Sequence, residues 1–168
     1  KQKDISSNMS KDIDEMEGML NDYLQFAKTQ TQESSSTIDL SNLFKEIQKD
    51  LKNGNLTLIN SEKIILTGRA LSLKRCFENV INNGLTYGKK VYVSLYKSSN
   101  RIIINIEDDG PGIPEEQHRN VFKPFFRLDK SRSLNKSGVG LGLAIVEDIV
   151  NSHGGSIQLG KSQYEGLQ

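Results

Sequence analysis

RIIINIEDDGPGI, residues 101–113, runs from an alternating strand pattern directly into a turn flanked by Gly110 and Gly112. A second alternating run, VYVSLYK at 91–97, precedes it across the turn-like SSN, so 91–108 reads as a β-hairpin opening into the glycine turn. Upstream, 70–85 has helix propensity, with Leu73, Phe77, Val80, Ile81 and Gly84 on one apolar face. LTLI at 56–59 and KIILT at 63–67 are rich in β-branched residues and read as strands; 40–51 reads as a helix capped by Asp39 or Ser41. Downstream, a helical piece at 115–121 and a polar stretch at 127–137 lead to a second glycine box, SGVGLGLAIV at 137–146. That box opens a helix over 141–152, ended by His153-Gly154-Gly155, and SIQLG at 156–160 reads as one more strand. YEGLQ then reads as the approach to a further, truncated strand. Strands that pair locally while helices gather predict an α+β fold, a two-layer α/β sandwich, rather than a parallel βαβ sheet.

The first residues differ in kind. Met9, Ile13, Met16, Leu20, Tyr23 and Ala27 recur in steps of four, three, four, three and four, the seam of a helix that packs on other helices. A lone helix cannot bury such a stripe, so it calls for a missing helix or a second copy of itself. TQTQESSS at 29–36 is small and polar and reads as a linker. Three parts are therefore expected: a partner-seeking helix in 1–30, a linker at 31–38 and the main domain over 39–168.

A net charge of +1 gives no argument for nucleic acid, although basic residues cluster between Arg127 and Lys136. The single cysteine, Cys76, excludes an internal disulfide framework and points to a reducing compartment. No apolar run approaches the roughly 18 residues of a membrane helix, and KQKDISSNMS has no signal-like apolar core behind it. Without an initiator Met, the chain reads as a piece of something longer.

Three constellations carry chemistry. Asn79 and Asn83, one turn apart, share a helical stripe beside Cys76 and Thr86. Asparagine is a mediocre helix former; a carboxamide oxygen here would serve as one Mg²⁺ ligand with phosphates and waters completing the octahedron, while two solvated surface amides give the same stripe. Asp108 ends a strand, where its carboxylate would accept a hydrogen bond from adenine N6 and repel the acceptor of a guanine. Gly110 and Gly112 allow close backbone approach, yet D-G and P-G are also ordinary turn pairs. Gly138, Gly140 and Gly142 open a helix, a ready phosphate site. The box fits neither a P-loop, which wants Lys-Ser/Thr after the glycines, nor a Rossmann fingerprint, which wants a strand before them. Between the boxes, Arg127, Lys130, Arg132 and Lys136 suit a lid over a triphosphate, or a solvated loop; Phe122, Phe125 and Phe126 read as core.

In order and spacing, residues 70–160 resemble the catalytic domain of sensor histidine kinases, in the superfamily of gyrase, Hsp90 and MutL ATPases. ENVINNGLTYG at 78–88 looks like the N box, DDGPGI the G1 box, VFKPFFR at 121–127 the F box and SGVGLGLAIV the G2 box. The match is most like the osmosensor (EnvZ-like) type, in which 5–28 would be the second helix of the dimerisation and phosphoacceptor hairpin. The resemblance implies the Bergerat ATP-binding fold and the cofactors ATP and Mg²⁺. Asn83 would be the metal ligand, Asn79 and Arg127 would act at the phosphates, and Tyr87 would lie along the nucleotide. Asp108 would recognise adenine, with Gly110, Gly112, Ile113, Gly138, Gly140, Leu141, Gly142 and Leu143 completing the site. It further implies phosphoryl transfer to a histidine on the chain's own or a sister-subunit phosphoacceptor helix, a response regulator as partner and a homodimer in the intact protein. The place would be the cytoplasmic part of a membrane-anchored bacterial sensor, with no nucleic acid and no membrane contact by these residues.

Thr86 stands where the family usually has Lys or Arg, and Gly84 where it usually has Ala, at roughly 1 kcal/mol of helix propensity. The phosphoacceptor box is absent: the only histidines are His118 and His153, neither on the N-terminal helix. Two other readings stay open, a nucleotide-binding module without turnover and a chaperone- or topoisomerase-like ATPase. The latter would want a glutamate at position 79; Glu78 points about 100° away.

Overall fold

The computed structural model describes residues 24, 33–51, 54–60, 62–128 and 140–168. The chain divides into two compact units, Lys1–Glu33 and Ser34–Gln168. The helix expected over 5–27 lies outside the described residues except for Leu24, which is helical and exposed.

The second unit begins with a strand where a linker was expected. β1 (Ser36–Asp39) pairs antiparallel with β3 (Ile65–Gly68), Ser36 opposite Gly68 and Asp39 opposite Ile65. Its Ser-Thr composition hides it: only Ile38 is buried, and backbone pairing alone makes the strand. Asp39 then caps α1 (Leu40–Asp50), its Oδ1 accepting the Asn42 N–H at 3.2 Å. Leu40, Leu43, Phe44 and Ile47 form the buried stripe of that helix.

The two strands read at 56–59 and 63–67 both form but do not pair with each other. β2 (Leu56–Leu58) runs parallel to β4 (Val91–Ser98), Leu56 opposite Val91, while β3 joins β1. β4 pairs antiparallel with β5 (Arg101–Asp108) across Ser99-Asn100, giving a three-stranded sheet in the order β2-β4-β5. Beyond β2 the ladder is continued by a side chain: Asn60 Nδ2 donates to Leu95 O at 2.6 Å, and Leu95 N donates to Asn60 Oδ1 at 2.9 Å. The carboxamide thus presents the same donor and acceptor as a further peptide group.

α2 (Ala70–Tyr87) packs on β4, β5 and α3 (Gly142–Ser152), and α1 packs on β2, so helices cover one face of the sheet in the expected two-layer arrangement. Leu73, Phe77, Ile81 and Gly84 are buried as their spacing predicts, and Phe44 meets Phe77 with ring centroids 4.6 Å apart. Cys76, placed beside the asparagine stripe from the wheel, belongs to this core; burial pushes its thiol up to about 12. A methyl at Gly84 would come within 2.7 Å of Val91 Cγ2, a fully buried β-branched side chain. The glycine therefore lets α2 lie against β4.

His153 ties the helical layer together. Its Nδ1 lies 2.7 Å from Ile149 O and its Nε2 accepts the Arg69 N–H at 3.1 Å, joining the end of α3 to the start of α2. Two other elements differ from expectation. The piece at 115–121 tightens to a 3₁₀ turn, Glu115–Gln117. SIQLG at 156–160 forms no regular strand: Ile157 and Leu159 are half-buried and Gln158 exposed, so the alternation survives, but no ladder accompanies it. Side-chain sidedness does not supply a backbone partner. Instead Gly160 and Gln168 exchange backbone hydrogen bonds of 2.8 and 2.9 Å.

Asn60→Ala removes both side-chain rungs on Leu95 and is expected to lower unfolding free energy by about 1–3 kcal/mol in a urea titration. Gly84→Ala should fail to recover the roughly 1 kcal/mol of helix propensity and instead destabilise by a similar amount, because overpacking against Val91 outweighs it.

Candidate functional site

The C-terminal half of α2 carries Asn79 and Asn83 one turn apart, both half-buried. Asn79 Nδ2 is buried and has no hydrogen-bond partner among the described residues, a donor left for something else to satisfy. Thr86 turns inward on its own helix, its Oγ1 donating to Asn82 O at 2.7 Å, and so offers neither charge nor free hydroxyl. Tyr87, the last residue of α2, is 37% exposed.

The end of β5 meets this helix. A Cβ on Gly84 would lie 3.3 Å from Asp108 Cβ and 3.6 Å from its Oδ2, which puts the carboxylate against the C-terminal half of α2. Asp108 Oδ1 accepts the N–H groups of Gly110 at 2.8 Å and Leu167 at 3.1 Å, while Asp108 N donates to Leu167 O at 2.9 Å. Oδ2 has no hydrogen-bond partner among the described residues. Gly110 is needed for close approach, since a side chain there would meet Tyr87 C at 3.1 Å and Gly88 N at 3.2 Å. Gly112 is needed for its conformation, φ +71°.

Asp109 was missed by sequence reasoning. Its Oδ1 accepts the N–H groups of Lys89 at 2.6 Å and Lys90 at 2.9 Å, pinning the turn after α2 to the glycine turn. Those two amides, Lys90's foremost, hold its carboxyl below the usual carboxylate range. The available signal was the acidic pair itself, since an aspartate beside a glycine readily accepts from turn amides. Ile113 is half-buried, and its carbonyl lies 3.0 Å from His118 Nε2.

The second glycine box is joined to Phe125 and Phe126. Gly140 has φ +80°, and a Cβ there would come within 2.7 Å of Phe126 O. Its carbonyl accepts the Phe125 N–H at 2.9 Å. Phe125, expected in the core, is 62% exposed: its φ of +64° turns the side chain out while its N–H bonds inward. Phe122, Phe126 and Arg127 are half-buried. Gly142 begins α3 with open space around it, Leu143 is half-buried, and Leu141 is buried at 7% and so belongs to the core. Gly138, Lys130, Arg132 and Lys136 lie outside the described residues. Asn79, Asn83, Tyr87, Asp108 and Gly110 thus come from two adjoining elements.

Residues 68–167 match the family model described as histidine kinase-, DNA gyrase B- and HSP90-like ATPase. The sensor histidine kinase GtrS of Pseudomonas aeruginosa is 32% identical over 98% of this chain, which covers 34% of GtrS. Sensor protein RstB of Escherichia coli is 32% identical over 97% of the chain, covering 40% of RstB. The chain therefore spans about a third to two fifths of the length of these curated relatives. Among solved structures, the ATP-binding domain of PrrB from Mycobacterium tuberculosis superposes with a TM-score of 0.65 at 26% identity, over 79% of this chain and 91% of that one. The histidine kinase domain of the E. coli osmosensor EnvZ does so with a TM-score of 0.58 at 37% identity, over 81% and 86%. The chain belongs to the histidine kinase-, DNA gyrase B- and HSP90-like ATPase family, and within it to the catalytic domains of the sensor histidine kinases.

Proposed function

We propose that this domain binds ATP with Mg²⁺ and, in the intact protein, transfers the γ-phosphoryl group to a histidine on a phosphoacceptor helix. The observation that carries the reading is Asp108: one carboxylate oxygen is fixed by two backbone N–H groups, and the other, against α2, has no hydrogen-bond partner among the described residues. An adenine N6 donor complements that oxygen. Asn79, with its unsatisfied buried N–H, would donate toward the phosphates, and Asn83 would lend its carboxamide oxygen to the metal. When bound, Mg²⁺ supplies neutralisation of charge developing on the phosphoryl oxygens. Arg127 would share that work, and the backbone N–H groups of Gly138, Gly140 and Gly142 would receive phosphate. Tyr87, Ile113 and Leu143 would flank the nucleotide, with Leu141 supporting them from the core.

The acceptor would lie on the chain's own or a sister-subunit helix, with a response regulator downstream, a homodimer as the assembly and a membrane-anchored sensor as the parent. No helix of the described residues is long and apolar enough to cross a membrane. Of the two histidines of this chain, His118 Nε2 contacts Ile113 O, and both ring nitrogens of His153 are engaged.

Asp108→Asn replaces one carboxylate oxygen with an amine. It is expected to weaken ATP binding by about 1.5–3 kcal/mol in calorimetry; unchanged affinity would remove the adenine assignment. Incubated with Mg²⁺ and γ-labelled ATP, the chain should not label itself but should label a separately added acceptor-helix protein on histidine. Rapid self-labelling contradicts this, and no transfer despite ATP binding would favour a nucleotide-binding module without turnover, as the uncharged Thr86 allows.

A further inference from the structure

Glu107 is buried, 5% exposed, next to Asp108 but on the opposite face of the sheet, away from α2. Its carboxylate is taken up entirely by one segment. Oε1 accepts from Ser162 Oγ at 3.3 Å and from the Gln163 N–H at 3.2 Å, and Oε2 accepts from Gln163 Nε2 at 3.2 Å. Ser162 Oγ in turn accepts the Tyr164 N–H at 3.0 Å, and the Tyr164 ring stacks on Tyr92, the cross-strand neighbour of Glu107, at 3.7 Å between centroids. Four residues after Gln163, Leu167 makes the paired bonds with the backbone and Oδ1 of Asp108. Between them Gly166 passes so close that a Cβ there would run into the carbonyl and Oδ1 of Asp108.

We infer that Glu107 is a positioning residue for base recognition: by anchoring Ser162–Tyr164 behind the sheet, it holds the Leu167 N–H on Asp108 Oδ1 and so aims Oδ2 at the exocyclic amine of adenine. The inference rests on the reading of Asp108 given above and adds the groups that set its rotamer. A freely rotating carboxylate would still attract a donor, but it would meet adenine and guanine with less discrimination. Glu107 touches no nucleotide. Its influence passes through the 162–167 segment.

The test measures ATP and GTP affinity of the 168-residue chain by calorimetry, with thermal unfolding followed in parallel. Glu107→Gln places an amine against the donors of Ser162 and Gln163 and is expected to reduce the ATP-over-GTP preference about tenfold, ATP weakening while GTP stays unchanged. Gln163→Ala, at an exposed position, removes only the Oε2 bond and should give a smaller loss of the same kind in a folded protein. A merely structural role would weaken both nucleotides together or only shift the unfolding midpoint. Either result, or an unchanged preference in both variants, overturns the inference while Asp108→Asn still weakens ATP binding. If Asp108→Asn leaves the preference intact, the adenine reading fails and the positioning role with it.

Discussion

α2 can press onto the β4–β5 hairpin only because side chains are missing at its last turn and at the turn it faces. A Cβ on Gly84 would lie 2.7 Å from Val91 Cγ2, and Cβ atoms on Gly88 and Gly110 would crowd each other's backbone N at 3.0 and 3.2 Å. This contact sets a strand end bearing a carboxylate against the helix that carries the carboxamides. It also determines which polar groups must be satisfied locally. Asp109 accepts the amides of the turn leaving α2, and Asp108 Oδ1 accepts those of Gly110 and Leu167. The paired aspartates therefore divide the labour: one closes the loop, and the other is half-closed and half-open.

Much of this was legible in the sequence where a periodic pattern coincides with burial. The face Leu73, Phe77, Ile81, Gly84 and the hairpin 91–108 have the side-chain spacing of their elements and appear as read. Legibility fails where backbone pairing acts without a side-chain signal. β1 has only one buried residue in four and was read as linker, and the pairing of β2 with β4 rather than β3 depends on a contact distant in sequence. SIQLG shows the converse, a clear alternation without a ladder. Of the site, residue types were readable because glycines, amides and an acid stand in a fixed order. The clamp on Asp108 was not, because it is made by the main chain of Leu167, whose side chain gives no hint of it.

Relatives explain the rest. A matched family over residues 68–167 and sensor kinases at 32% identity over nearly the whole chain show the family to which these motifs belong. It also gives weight to local departures. Gly84, which costs helix propensity, has a compensating reason in Val91. Thr86 has none of that kind, because its hydroxyl merely bonds back to Asn82 O.

The Asn60 side chain has a consequence of another sort. β2 covers β4 for only three residues, after which the rim of a sheet would ordinarily stand open to strands of other molecules. By occupying both the N–H and the C=O of Leu95, the carboxamide removes the pair of groups such a strand would need. What remains of β4 beyond it, Tyr96 to Ser98, is exposed and includes Lys97, a charge that disfavours stacking of like chains. One amide thus closes a stretch of sheet rim that β2 is too short to cover.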